Sequence, residues 1–468
     1  MSFNYNLAIT ALAFATGTSA MASSAIEDVL SADETQGVWL SDGYGILLDV
    51  SESGQKVRTY DYTDQACVET TGEETHFSYM RAGRLDLESS LMELRTGTDP
   101  YDIRFRRIGA LPDACQSDRE GHRGSALANF DAFVSYFKEH YAFFDVHNPE
   151  WLEQAARIRS KLDEKSGESD IIEPMIGLLS SLKDGHVSIQ AVVGGEEGEF
   201  IAFPGPTLSA VQQTYFGEGS PMAAFGRQFL RTDIEQAILG GQGRNAVNER
   251  IKYGITSDDI GYMAVMSMGG YAATPDASED EELAAINDAM DEIISYFNCA
   301  SVKAIIIDIS VNRGGYDYLA REIARRFASK KTLVSSKFAG DATNRTPQPL
   351  FVEPVTRPSF AGPIYVLTSD VTVSAAEALT LSLRALPNVT HVGSKTRGAL
   401  SDVLEKKLPN GWVVTLSNEV YLDHEGVSWE GKGIPPEHEW QVFDPSNPFT
   451  GHLPSVERTI ALIDKEVQ

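Results

Sequence analysis

Cysteine is scarce, with three in 468 residues: Cys67, Cys115 and Cys299. None sits in a CxxC pair or at Cys/His zinc spacing, and no HExxH occurs. Zinc-ribbon, dithiol-redox and zincin chemistry therefore have no local signature, and no metal or cofactor is expected. Basic residues are in deficit too, 39 Lys and Arg against 67 Asp and Glu, for a net charge of −28. Nucleic acid and anionic membrane surfaces both call for basic surface, so neither is an expected partner. No apolar run is long enough to span a bilayer. No internal repeat or low-complexity tract is visible.

A hydrophobic content of 42% with 9% aromatics gives ample core-forming material. The length implies about two to four domains. The first 22 residues read as a secretory signal. An apolar run from Leu7 to Ala15 leads to the A-x-A pattern Ala20-Met21-Ala22. The n-region lacks Lys and Arg, which departs from the usual pattern. Export, to a periplasm or the extracellular space, would permit a disulfide. Cys67 and Cys115 are then the expected pair, worth about 4 kcal/mol in the chain-entropy model. Cys299, just before an apolar strand, reads as an inert core thiol.

Residues 23–119 read as a small β domain. Gly37–Val50 and Lys56–Tyr62 suggest paired strands around Gly and Ser turns. Arg104, Arg106 and Arg107 read as a solvated strand face. Residues 120–190 switch to helical period: Phe130, Phe133, Val134, Phe137 and Tyr141 share a face. Helices follow at Trp151–Leu162 and Ile171–Leu182. His140 and His147 lie here among aromatics, where packing is the simpler role than metal binding. The third helix runs into Asp184-Gly185-His186, with Gly185 as stop signal and His186 opening a strand. Residues 191–255 form an insert of uncertain structure without a convincing strand series; it is short for a PDZ domain, and none is expected. From 256 to 468 strand and helix patterns alternate, as in an α/β core. Ala304–Ile309 is a near-continuous apolar strand of the kind buried in a parallel sheet, ending in Asn312-Arg313-Gly314-Gly315.

The segment from Pro363 to Leu386 reads strand, turn, helix, with Ser374 where the helix starts. Free N–H groups and the positive end of the helix dipole surround that position. Ser374-Ala-Ala-Glu377 is also a capping box, which is what most Ser-x-x-Glu matches are. Acyl transfer needs a nucleophilic hydroxyl, a base, a group to orient the base, and N–H donors for an oxyanion. Ser374, His186 and Glu430 can fill the first three roles. The Ala375 N–H with those of Gly314 and Gly315 can fill the fourth.

Four blocks in order resemble one serine peptidase family, that of C-terminal processing proteases, the tricorn core and interphotoreceptor retinoid-binding protein modules. They are Leu178–His186, Ile307–Gly315, Leu367–Glu377, and Val392–Gly398 with Leu408–Gly411 and Glu430–Pro436. The resemblance runs from residue 125 to 440. It implies a crotonase-like α/β catalytic domain with a helical cap segment, a separate N-terminal β domain, and serine hydrolysis of peptides or unfolded proteins. A homo-oligomer stays open. Members with a Ser–Lys dyad carry the lysine in TxGKG; here the stretch reads Thr396-Arg397-Gly398-Ala399-Leu400, so the dyad lysine is missing. Lys395 matches a non-catalytic lysine. The pattern favours the histidine branch, with His186 as base. Ser310 stands where the family has an arginine, so an ion pair of the family is expected to be lost. The competing reading is a non-catalytic peptide- or ligand-binding protein on the same fold.

Overall fold

The computed structural model describes residues 35–50, 57–70, 80–86, 90–96, 100–116, 125–275 and 277–467. The expected signal segment lies outside them. The core of the molecule is a seven-stranded sheet whose spatial order follows the chain. Its strands are Arg244–Ala246, Ile251–Ile255, Gly261–Val265, Ile305–Asp308, Ile364–Thr368, Val389–Gly393 and His438–Glu439. The first two pairings are antiparallel and the remaining four parallel. Strands Gly261–Val265, Ile305–Asp308 and Ile364–Thr368 are buried at every residue. Covering both faces of a parallel sheet demands such unbroken apolar runs. The long helix Glu279–Ala300 starts with a capping box, Ser278 with Glu281, and an acidic first turn that suits its positive end. It packs Ile286, Met290, Ile293 and Phe297 into one face of the sheet with the helices Asp317–Ala324 and Ala375–Arg384. The C-terminal helix His452–Glu466 and an unusual π-helix, Gln228–Ile238, cover the other face.

A second seven-stranded sheet, antiparallel in its pairings, forms the N-terminal region. Its order is Cys67–Glu69, Val57–Tyr62, Ile46–Val50, Gly37–Ser41, Asp102–Ile108, Leu91–Thr96, Met80–Asp86. Cys67 and Cys115 are joined by a disulfide. This sheet shares one hydrophobic core with the helices Ala126–His140, Trp151–Arg159 and Glu168–Leu182. Trp39, Phe105, Phe133, Phe137 and Trp151 meet there, all fully buried. Arg106 and Arg107 are exposed, as a solvated strand face requires, while Arg104 pairs with Glu93 and Arg107 lies over the Trp39 ring.

Residues 191–255 carry more strand than their sequence suggested. Ser188–Val193 and Glu196–Ile201 pair with each other, and Ser188–Val193 also pairs with Val413–Ser417, giving a four-stranded sheet completed by Val403–Lys407. Ile251–Ile255 joins the central sheet. The pairing with Val413–Ser417 is set by a partner more than 200 residues away in sequence, which local composition does not encode. Cys299 is also placed differently from expectation. It sits in the last turn of Glu279–Ala300 and is exposed, because the buried face of that helix is set by Ile293, Ile294 and Phe297. No helix among the described residues is long and apolar enough to cross a membrane.

Candidate active site

Ligand sites in parallel sheets form beyond the carboxyl ends of the strands. Here the ends of Ile305–Asp308 and Ile364–Thr368 are stitched together: Ser369 Oγ donates to Ser310 O at 2.5 Å and Thr372 Oγ1 to Ile309 O at 2.9 Å. The turn they brace delivers Ser374 at φ 61°, ψ −130°. A non-glycine residue pays about 1–3 kcal/mol of backbone strain there, which the surroundings must hold in place. The Ser374 N–H donates to Ala399 O at 3.0 Å and toward Glu377 Oε2 at 3.3 Å. Its carbonyl accepts from Glu377 and Ala378 N–H at 2.7 and 3.1 Å. The hydroxyl itself makes no capping bond. The expected cap is thus carried by the Glu377 side chain alone, and the partly exposed Ser374 hydroxyl is left at the head of the helix Ala375–Arg384.

Close approach explains both glycines of the neighbouring turn. A Cβ at Gly314, φ 94°, would lie 2.6 Å from Ser374 Cβ and 2.8 Å from Val373 O; one at Gly315 would collide with the Met268 carbonyl. Their N–H groups have different fates. The Gly314 N–H donates to Asn312 Oδ1 at 2.8 Å, which corrects the expectation that it serves an oxyanion. Met268 N–H donates to Gly314 O and Tyr316 N–H to Met268 O. The Gly315 N–H between them has no protein acceptor among the described residues, and neither has that of Ala375.

The helix Glu168–Leu182 ends at Lys183 in left-handed conformation, φ 52°, not at Gly185. His186 lies in the turn that follows, two residues ahead of the strand Ser188–Val193. Asp184 shapes this turn: Oδ1 accepts the His186 N–H at 2.8 Å and Oδ2 accepts the Tyr141 hydroxyl at 2.9 Å. Burial lowers the His186 imidazole below its ordinary range, against the opposing pull of Asp184 and Asp402. The ring is therefore neutral, the form a base needs, near pH 7. Its Nδ1 is buried without a partner. Among the described residues no hydrogen bond links the Ser374 hydroxyl to the His186 ring.

Glu430 is 3% exposed. Its Oε2 accepts the N–H groups of Leu400 and Ser401 at 2.8 and 3.2 Å, and Oε1 has no partner. Glu430 thus fixes the loop that supplies Ala399 O to Ser374; no bond to the His186 ring accompanies it among the described residues. Glu377 holds the same loop from the other side, accepting from Thr396 Oγ1, Gly398 N–H and Ala399 N–H at 2.6, 2.8 and 2.9 Å. Burial raises the Glu377 carboxyl, and raises Glu430 well above the usual carboxylate range with Asp184 and Glu377 adding to it. Ala399, at the place of a dyad lysine, is buried, and Lys395 is exposed.

The structure therefore gathers Ser374, Gly314, Gly315 and Ala375 directly. It links them to His186 and Glu430 through the loop Thr396–Asp402. Sequence reasoning missed three contributors: Asn312, which takes up Gly314; Asp184, which sets the His186 turn; and Glu377 as a loop anchor. Asp184 beside a Gly-His turn was the one available signal, since Asp side chains cap their own backbone two residues on. A cavity of about 260 Å³ opens beside this loop, lined by His147, Gly185, Phe203, Arg397, Gly398 and Gly431 among others.

Two solved structures of similar fold stand out. A candidate peptidase from Parabacteroides merdae superposes with a TM-score of 0.57 at 22% identity, covering 72% of this chain and 96% of that one. Mature CPAF complexed with lactacystin gives 0.53 at 11% identity, covering 74% and 99%. Both likenesses concern the fold. Residues 259–440, which hold Ser374, the Gly314-Gly315 turn and Glu430, match the family model described as peptidase family S41, and this match supports a serine peptidase.

Proposed function

We propose that the chain is an exported peptidase that cleaves peptides or unfolded proteins through an acyl-enzyme on Ser374. One observation carries the reading: a strained, partly exposed serine heads a helix beside two N–H groups, those of Ala375 and Gly315, that are unpaired among the described residues. His186 takes the hydroxyl proton as Ser374 Oγ bonds to the scissile carbonyl carbon. The negative oxygen then lies against the Ala375 and Gly315 N–H groups. Collapse breaks the C–N bond, and His186 returns the proton to the leaving amine. Water, deprotonated by the same imidazole, hydrolyses the ester. Glu430 acts as a support: it holds the loop whose Ala399 carbonyl fixes the Ser374 backbone. Peptide binding has to bring the hydroxyl and ring into hydrogen-bond reach, a tightening common between apo and substrate-bound states.

In this reading the core is crotonase-like, residues 23–119 and 120–190 serve as an N-terminal β domain and helical cap, and residues 1–22 direct export. The missing Ser374–His186 bond favours a competing reading, a binding protein on the same fold. A fluorophosphonate probe separates the two. Wild type labelled and Ser374→Ala unlabelled is the expected result; an unlabelled wild type that also cleaves no unfolded casein sinks the peptidase reading.

A further inference from the structure

Behind the His186 turn, three segments bring together side chains of metal-ligand type. One ligand atom from each of His147, Asp184 and Glu430 lies within 4.8 Å of the other two. Two atoms of these groups, His147 Nε2 and Glu430 Oε1, are buried and unbonded among the described residues. Glu430 is a nearly fully buried carboxylate, and neither it nor Asp184 has an ion pair to Lys or Arg among the described residues. Buried carboxylates ordinarily come with a counter-charge. Gly431 is needed where it stands, because a Cβ there would press on Val146 and on the His147 ring, 3.2 Å from Cε1. The glycine thus lets His147 approach the residue next to Glu430 closely.

We propose that His147, Asp184 and Glu430 form a site for one divalent cation of the zinc class. One imidazole and two carboxylates suit Zn²⁺ or Co²⁺, whereas Mg²⁺ and Ca²⁺ prefer all-oxygen shells. Ligand atoms about 2.0–2.2 Å from a shared ion lie within about 4.4 Å of one another, close to the spacing present. Asp184 keeps lone pairs for a metal while accepting from Tyr141 and His186, and those bonds become the outer support that holds a ligand in place. A fourth position faces the cavity lined by His147, Gly185, Gly398 and Gly431. Lys183 and Arg397 on the same wall favour an anionic fourth ligand, such as chloride or a peptide carboxylate. Burial keeps His147 neutral at neutral pH, the state that binds metal.

The test is optical titration of chelator-treated full-length protein with CoCl₂, which reads the site whether or not peptide is cleaved. The expected result is saturation at one equivalent with visible d–d bands, displaced by ZnCl₂. His147→Ala should weaken binding at least tenfold, and His424→Ala, at an exposed turn, should not. His147 is partly exposed and its Nε2 makes no bond, so its removal should leave the thermal melt of the metal-free protein unchanged. Absence of one-equivalent binding, or binding that survives His147→Ala, overturns the site.

Discussion

Two buried histidine–carboxylate clusters in this molecule use the same residue types and reach opposite electrostatic states. In the first, His452 Nε2 lies 2.7 Å from Asp308 Oδ2 and Nδ1 lies 3.3 Å from Asp233 Oδ2. Tyr262 hydroxyl and Ser310 N–H complete the Asp308 carboxylate at 2.5 and 2.9 Å. Burial alone would lower the His452 imidazole, but Asp308 and Asp233 outweigh it and push it up to about 9. In the second cluster, His147 Nε2 and Glu430 Oε1 find no partner among the described residues. Burial wins there, lowering His147 and raising Glu430. A paired cluster settles into fixed charges and ties elements together: the C-terminal helix, the π-helix and the end of a central strand. The second leaves His147 Nε2 and Glu430 Oε1 without a partner among the described residues, and it sits beside the reactive turn. Ser310 contributes its backbone N–H to Asp308, whose cationic partner is His452.

The sharpest way to break the comparison is His452→Gln. It leaves two carboxylates buried without a cation, a loss of about 3–5 kcal/mol. Urea unfolding reads this directly, and a loss below about 1 kcal/mol would mean the pair is not what holds the C-terminal helix. Stability should also depend on pH in a defined window. The folded value of about 9 exceeds the ordinary 6.5, so the contribution is complete below pH about 6.5 and disappears as pH rises through about 9. That gap corresponds to about 3 kcal/mol. Melts from pH 6 to 10 should show the decline in wild type and a flatter profile in His452→Gln.

Neither cluster was visible as a unit in the sequence, although much around them was. The strand before Ser374, the helix after it and the Glu377 reach-back follow from local pattern, because periodicity and capping act over a few residues. His147, Asp184 and Glu430 come from a short helix, a turn and a distant loop, joined only by tertiary packing. The pairing of Ser188–Val193 with Val413–Ser417 is equally non-local. Asp308 did carry a signal: a carboxylate at the end of a buried apolar run requires a partner. Which residue answers it could not be read from spacing, since His452 lies in a C-terminal helix that no motif marks.

Glu430→Gln tests the unpaired side and should have the opposite sign to His452→Gln. A carboxyl raised in the folded state costs stability as pH rises from its ordinary 4.5 toward the folded value. A glutamine stays neutral, and its amide oxygen can still accept from Leu400 and Ser401. The variant should gain about 1 kcal/mol at pH 8 and nothing at pH 4.5, measured by thermal melts at both. Destabilisation at pH 8 would show that the ionised form is paired after all.

The smallest effect is the most discriminating. His147→Gln removes a histidine from a buried carboxylate cluster, as His452→Gln does. If residue type and burial were what mattered, the two losses would be similar. If pairing is what matters, His147→Gln should stay within about 0.5 kcal/mol of wild type in urea, because no protein hydrogen bond is broken at Nε2. Adding ZnCl₂ should then separate the proteins again, raising the melting temperature of wild type and leaving that of the variant where it was, since only a group that binds the folded state selectively shifts its stability. A loss above about 2 kcal/mol without metal would make His147 a structural histidine and erase the distinction between the two clusters.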